Sequence, residues 1–125
     1  MSDLKDLQKI AKKFIDDRDW RKFQTLKDLS MNASVESAEL MEIFLWKDKK
    51  FEEEITNHGN RKIEDKIKNE VSDILFSCLA IADQMNFDLE EAYKNKMDEL
   101  NKRYDVNKVK GKIIKINSPD NSQNR

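Results

Sequence analysis

The sequence predicts an all-α protein, a four-helix bundle that assembles into a homo-oligomer. Three observations carry this expectation. With two Gly and one Pro in 125 residues, helix breakers are scarce. Charged residues make up 39% of the chain beside 38% hydrophobic ones, a mixture suited to long helices with one apolar face. Apolar residues also recur at i, i+3 and i+4 along most of the length. Four short helices bury limited surface alone, so a dimer or tetramer with a shared helical core is expected.

The first helix is expected over residues 3–23. Leu4, Leu7, Ile10, Ala11, Phe14 and Ile15 form its stripe, and Ser2 or Asp3 can cap it. Its later part, DDRDWRKF, turns polar around Trp20 and Phe23, which leaves room for a break. The second helix starts near Thr25 or Lys27 and runs to about Trp46 on Leu29, Ala33, Leu40, Ile43 and Phe44. Residues 47–60 read as a connection, from KDKK, the acidic EEE and the turn signal His-Gly-Asn. A loop of that length is usually functional or mobile. The third helix covers about residues 61–86, and its stretch from Val71 to Met85 is apolar enough to be buried on most sides. Asp88, followed three residues later by Glu91, opens a fourth helix over residues 89–104. Residues 1–105 thus form one helical domain and residues 106–125 a tail. In that tail KIIKI pairs as a short strand or packs on a neighbour, and NSPDNSQNR reads as disordered.

Several function classes are excluded. A formal net charge of −1 argues against binding a nucleic-acid polymer, which needs a basic surface. No apolar run approaches a membrane span, and the N-terminus lacks a signal-peptide core, so a cytoplasmic protein is expected. Cys78 is the single cysteine and sits on an apolar face, as a small hydrophobe would. His58 is the single histidine. Zinc sites of several His or Cys, di-iron Glu-x-x-His bundles and triad catalysis therefore lack their residues.

What stands out is where bases are missing. The chain holds 24 Lys and Arg, yet none between Asp28 and Trp46 and none between Asn69 and Tyr93. Each window carries two carboxylates three residues apart, Glu36 with Glu39 and Glu70 with Asp73, so each pair shares a helix face. Acids on a core-forming helix without a base nearby are costly unless a cation compensates them. All-carboxylate ligation suits hard Mg²⁺, with Mn²⁺ an alternative, and one or two ions fit four such residues. The competing reading is a pair of solvated helix faces. It accounts for Glu90, Glu91 and the run Glu52 to Glu54.

With E-x-x-E on one helix and E-x-x-D on the next, the chain resembles the MazG-like all-α nucleoside triphosphate pyrophosphohydrolases. FIDDRDWRKF, ESAELMEIFLWK, NEVSDIL and KMDELNKRY are similar, in order and spacing, to the dCTP pyrophosphatase branch. The resemblance covers about residues 4–105. It implies hydrolysis of a nucleoside triphosphate between the α and β phosphates, dCTP or a related or modified pyrimidine first among candidates, in a house-cleaning role. It implies metal ligation by Glu36, Glu39, Glu70 and Asp73, of which one, or Glu42 nearby, orients the attacking water instead. It also implies phosphate contacts for Lys96 and Arg103 and a role for Tyr104, and the phosphate-binding candidates are Lys96, Arg103, Tyr104 and Asn101.

Departures from the pattern bear on selectivity. Val35 and Ala38 stand where Gly is frequent. The usual Asn four residues after the lysine is Leu100, and Asn101 follows one place later, turned by about 100° on the helix. Ala11 and Ser77 replace the His and Tyr of the mammalian pattern. Trp20, Phe23, Phe44 and Trp46 cluster at the ends of the second helix, where stacking on a base competes with core or interface packing. Trp20, Phe23, Trp46 and Ser77 are the base-binding candidates; Phe44 reads as core. Lys102, in a last helical turn, is explained by the helix dipole. The rival substrate readings are dUTP or a broad range of triphosphates. The rival class is a non-catalytic helical interaction module.

Overall fold

The computed structural model describes residues 3–117. Among the described residues it holds helices and no strand. They are α1 (Leu4–Asp17), a 3₁₀ turn (Arg21–Phe23), α2 (Leu26–Phe44), α3 (Lys49–Thr56), α4 (Arg61–Met85), α5 (Leu89–Arg103) and α6 (Val106–Val109). The four long helices of the sequence reading are present. No described helix is long and apolar enough to cross a membrane. The chain forms two compact units, Met1–Phe87 and Asp88–Arg125.

In the first unit α4 packs against α1, α2 and α3. Its core joins Ile15 of α1, Leu29 of α2 and Ala80 of α4, with Phe76 and Ile81 packed against them. The small Ala80 and Ala82 are almost fully buried, so the α4 backbone comes close to its neighbours while Leu29 fills the space between. Phe14 meets Phe76 edge to face at 5.8 Å, which locks α1 onto α4.

Two helices stop by the same device. α1 ends at Arg18, Asp19 takes a left-handed φ of 52°, and the Trp20 N–H reaches back to the Ile15 carbonyl at 3.1 Å. α4 ends with Asn86 at φ 56°, and the Phe87 N–H bonds the Ala82 carbonyl at 3.0 Å. Asp and Asn tolerate this conformation better than most residues, so both can serve where Gly is usual. The first helix is therefore shorter than the expected 3–23, and Trp20 and Phe23 belong to the turn that follows it.

The expected connection over residues 47–60 contains α3. Asp48 caps it by accepting from the Phe51 N–H at 3.0 Å, and Phe51 and Ile55 give one inward face at i, i+4. Phe51 meets Phe44 edge to face at 6.3 Å, which folds α3 back on the end of α2. Gly59 closes the turn, because a Cβ there would stand 3.1 Å from Glu54 Cγ and 3.2 Å from the Glu54 carbonyl oxygen.

The second unit is built on α5, whose N-terminus Asp88 caps by accepting from the Glu90 and Glu91 N–H groups. Lys102 and Arg103 fill its last turn, where cations suit the dipole. Instead of a strand, KIIKI runs irregularly after α6, and Ile116 returns to the end of α5. The stretch Ser118–Arg125, expected to be disordered, lies outside the described residues.

Candidate metal and nucleotide site

α2 and α4 run side by side, and this brings the two base-free windows together. Carboxylate oxygens of Glu36, Glu70 and Asp73 all lie within 4.8 Å of one another. Glu36 Oε2 and Glu70 Oε2 are buried without a hydrogen-bond partner. Glu36 faces Glu70 at hydrogen-bonding range, is partly desolvated and feels the charges of Glu39 and Asp73. These effects push its carboxyl up to about 7. Glu39 is exposed on α2 beside Glu36 and stands outside the closest set.

Orphaned acceptor oxygens, crowded negative charge and an oxygen-only donor set together fit a hard divalent cation. A cation would restore the missing partners of both buried oxygens and let Glu36 ionise. The same helix shows the contrast: Glu64 accepts from Lys68 and His58, and these partners hold its carboxyl below the ordinary range.

Asp73 also borders an apolar groove of about 470 Å³ between α1 and α4. Ile10, Ala11 and Phe14 form one wall; Ser72, Leu75 and Phe76 form much of the other. Its lining is thus apolar apart from Ser72 and Asp73. Of the base-binding candidates, Trp20 meets Phe14 edge to face at 5.7 Å but does not itself line the groove. Ser77 is buried at 3% exposure and does not line the groove. Phe23 and Trp46 are exposed at 67% and 93% and do not line it either. Trp46 adopts a left-handed φ of 63° just past α2, which turns it out of the helix line.

In the second unit Glu99 holds the two bases named for phosphate. Its Oε2 accepts from Arg103 Nη2 at 3.0 Å and pairs with Lys96 Nζ at 3.2 Å. The Arg103 side chain is 14% exposed, whereas Asn101 is exposed. The Tyr104 hydroxyl donates to the Ile116 carbonyl at 3.3 Å.

Comparison with known proteins decides the family. A model described as the MazG-like family matches residues 31–116, a span that takes in all four carboxylates and α5. The chain belongs to the MazG-like family. The dCTP pyrophosphatase 1 of Bos taurus is 31% identical over 112 residues, 90% of this chain and 65% of that protein. The dCTP pyrophosphatase 1 of Mus musculus is 30% identical over 116 residues, with the same coverage. The chain therefore spans a little under two thirds of these relatives' length. Among solved structures, a pyrophosphatase from Archaeoglobus fulgidus superposes with a TM-score of 0.70 at 30% identity. The match covers 84% of this chain and 94% of that one.

Within this MazG-like chain, sequence reasoning missed the groove. Phe14 and Phe76 stand on different helices, and neither is marked by a local pattern beyond ordinary apolar spacing. Only the α1–α4 contact makes a slot of them.

Proposed function

We propose that this chain is a divalent-cation-dependent nucleoside triphosphate pyrophosphohydrolase, with Mg²⁺ its resident ion. The observation that carries the reading is the set of Glu36, Glu70 and Asp73, with two buried oxygens lacking partners and with Asp73 lining an apolar groove. Glu36, Glu70 and Asp73 would hold the ion, and Glu39 beside them is the fourth carboxylate of the site. When bound, the cation neutralises phosphate charge and makes a bound water more acidic.

The chain's own residues do the rest. The groove between α1 and α4 takes the base against Phe14 and Phe76, where apolar walls exclude water and ring faces or edges contact the heterocycle. That seating places the phosphates toward Asp73. Water attacks the α-phosphorus, the α–β anhydride bond breaks, and the products are a nucleoside monophosphate and pyrophosphate. The proton released by the water passes to a carboxylate oxygen of the acidic set. Lys96 and Arg103 carry positive charge for the phosphates.

A deoxypyrimidine triphosphate, dCTP foremost, is the proposed substrate. Support comes from the dCTP pyrophosphatase relatives. Ala11 lines the groove without a hydrogen-bonding side chain, so discrimination among pyrimidines is expected to be loose. The test is a panel of dCTP, dTTP, dUTP and dATP assayed for pyrophosphate release with Mg²⁺ and with chelator. Release from a pyrimidine triphosphate that chelator abolishes is the expected result. Metal-independent release, or none from any triphosphate, would overturn the proposal.

A further inference from the structure

The end of α5 and the segment behind it are joined through the backbone of one residue, Ile116. The carbonyl of Ile116 accepts from the Tyr104 hydroxyl at 3.3 Å and from Arg103 Nη1 at 3.4 Å. The N–H of the same residue donates back to the Tyr104 hydroxyl at 3.4 Å. Each bond is long, but all three converge, and together they anchor a stretch that has no helical bonds of its own after α6. The guanidinium of Arg103 is thereby held from two sides, by Glu99 on its own helix and by Ile116 thirteen residues on. Its Cζ also lies 5.4 Å from the centre of the Tyr104 ring.

We propose that residues 110–116 are a positioning strap for Arg103, and that Tyr104 is the buckle of that strap rather than a group that touches the nucleotide. The inference rests on the reading that Arg103 serves the phosphates. An arginine side chain carries much rotamer freedom, and phosphate recognition by its planar fork depends on orientation. The Tyr104 hydroxyl donates to the carbonyl and accepts from the N–H of a single residue, Ile116, which a Phe cannot do. Ile116 bonds through its backbone, so the strap depends on the chain reaching this point more than on which side chain it carries there. By this account the region beyond Tyr104 belongs to the substrate-binding apparatus.

The test uses steady-state kinetics at saturating Mg²⁺ with dCTP, or with whichever panel triphosphate is turned over fastest. The variants are Tyr104→Phe, truncation after Lys112, the two combined, and Arg103→Ala and Arg103→Lys as references. Tyr104→Phe and the truncation should each raise KM several-fold with kcat within about twofold of the parent, at unchanged helical content. Combined, they should do no more than the truncation alone, because it already removes every bond that Tyr104→Phe breaks. Tyr104→Phe added to Arg103→Ala should have no further effect. If Arg103→Ala raises KM while Tyr104→Phe and the truncation do not, the strap is refuted and the phosphate role of Arg103 stands. If Arg103→Ala leaves KM unchanged, the phosphate role falls and the strap with it. A fall in kcat with KM constant in Tyr104→Phe would also overturn the proposal.

Discussion

Glu36 is the residue on which the acidic site turns. With its carboxyl near 7 instead of the ordinary 4.5, the folded protein holds a proton here that the unfolded chain has released. Between those two values the folded state binds more protons, so the contribution of Glu36 to stability is greatest below about 4.5 and falls as pH rises toward about 7. The melting temperature of chelator-treated protein should therefore lose this contribution across that window. Glu36→Gln should remove that part of the slope and raise the metal-free melting temperature at pH 8, while removing most of the stabilisation by Mg²⁺. An unaltered slope in the variant would sever the link between Glu36 and the crowded charge. Asp73→Asn tests the chemistry: turnover should fall by about 100-fold or more, the loss expected when several kcal/mol of cation-mediated stabilisation go, and circular dichroism should stay helical. That Glu36, Glu70 and Asp73 come together was legible in the sequence, because unpaired acids on apolar helices demand a partner. The large upward shift at Glu36 was not, since it depends on facing Glu70 across a helix contact.

At the scale of elements, termination is where local chemistry shows most clearly. Asn86 ends α4 in the left-handed region, two residues before the cap of α5. Asn86→Gly should keep or slightly raise stability, whereas Asn86→Val should cost about 1–2 kcal/mol, because a β-branched residue is strained at positive φ. Urea unfolding of the two variants measures the difference, and equal midpoints would mean that the turn relaxes to another geometry. The ties between elements can be weighed in the same way. Arg21 links Asp16 at the end of α1 to Asp83 on α4, both close to 2.9 Å, and the Asp83 side chain is only 13% exposed. Arg21→Ala should destabilise chiefly by stranding Asp83, and Asp83→Asn in that background should recover part of the loss. The long helices were readable from periodicity alone. α3 was not, because its eight residues are dominated by KK and EEE. Its two signals, Asp48 as cap and Phe51 with Ile55 at i, i+4, are outweighed by charge in any window average. The early end of α1 was concealed for a related reason: Asp19 gives a Schellman turn without the Gly that usually announces one.

For the molecule as a whole, the unresolved account is apolar surface. Along α2 Met31, Val35 and Met41 are each more than half exposed, and Trp46 at its end is 93% exposed. Val71 on α4 is 49% exposed and does not line the groove. Monomers seldom present so much large apolar side chain along single helices, so we expect these faces to be covered by further copies of the chain. Light scattering at micromolar concentration should give a dimer or tetramer, and a fully active monomer would contradict this. The arrangement also bears on Trp46, which does not line the groove between α1 and α4. If assembly is what brings Trp46 to a nucleotide, then Met41→Lys, placed on the exposed face of α2, should dissociate the oligomer and raise KM for the triphosphate. Trp46→Ala should do the latter by about tenfold, as loss of one stacking contact would, without dissociating it. Weakened binding in Trp46→Ala with the oligomer intact, and no additional loss when both changes are combined, is the outcome that ties the base to an intersubunit contact. Weakened binding in Trp46→Ala that persists unchanged in an active monomer would place Trp46 within the site of its own chain.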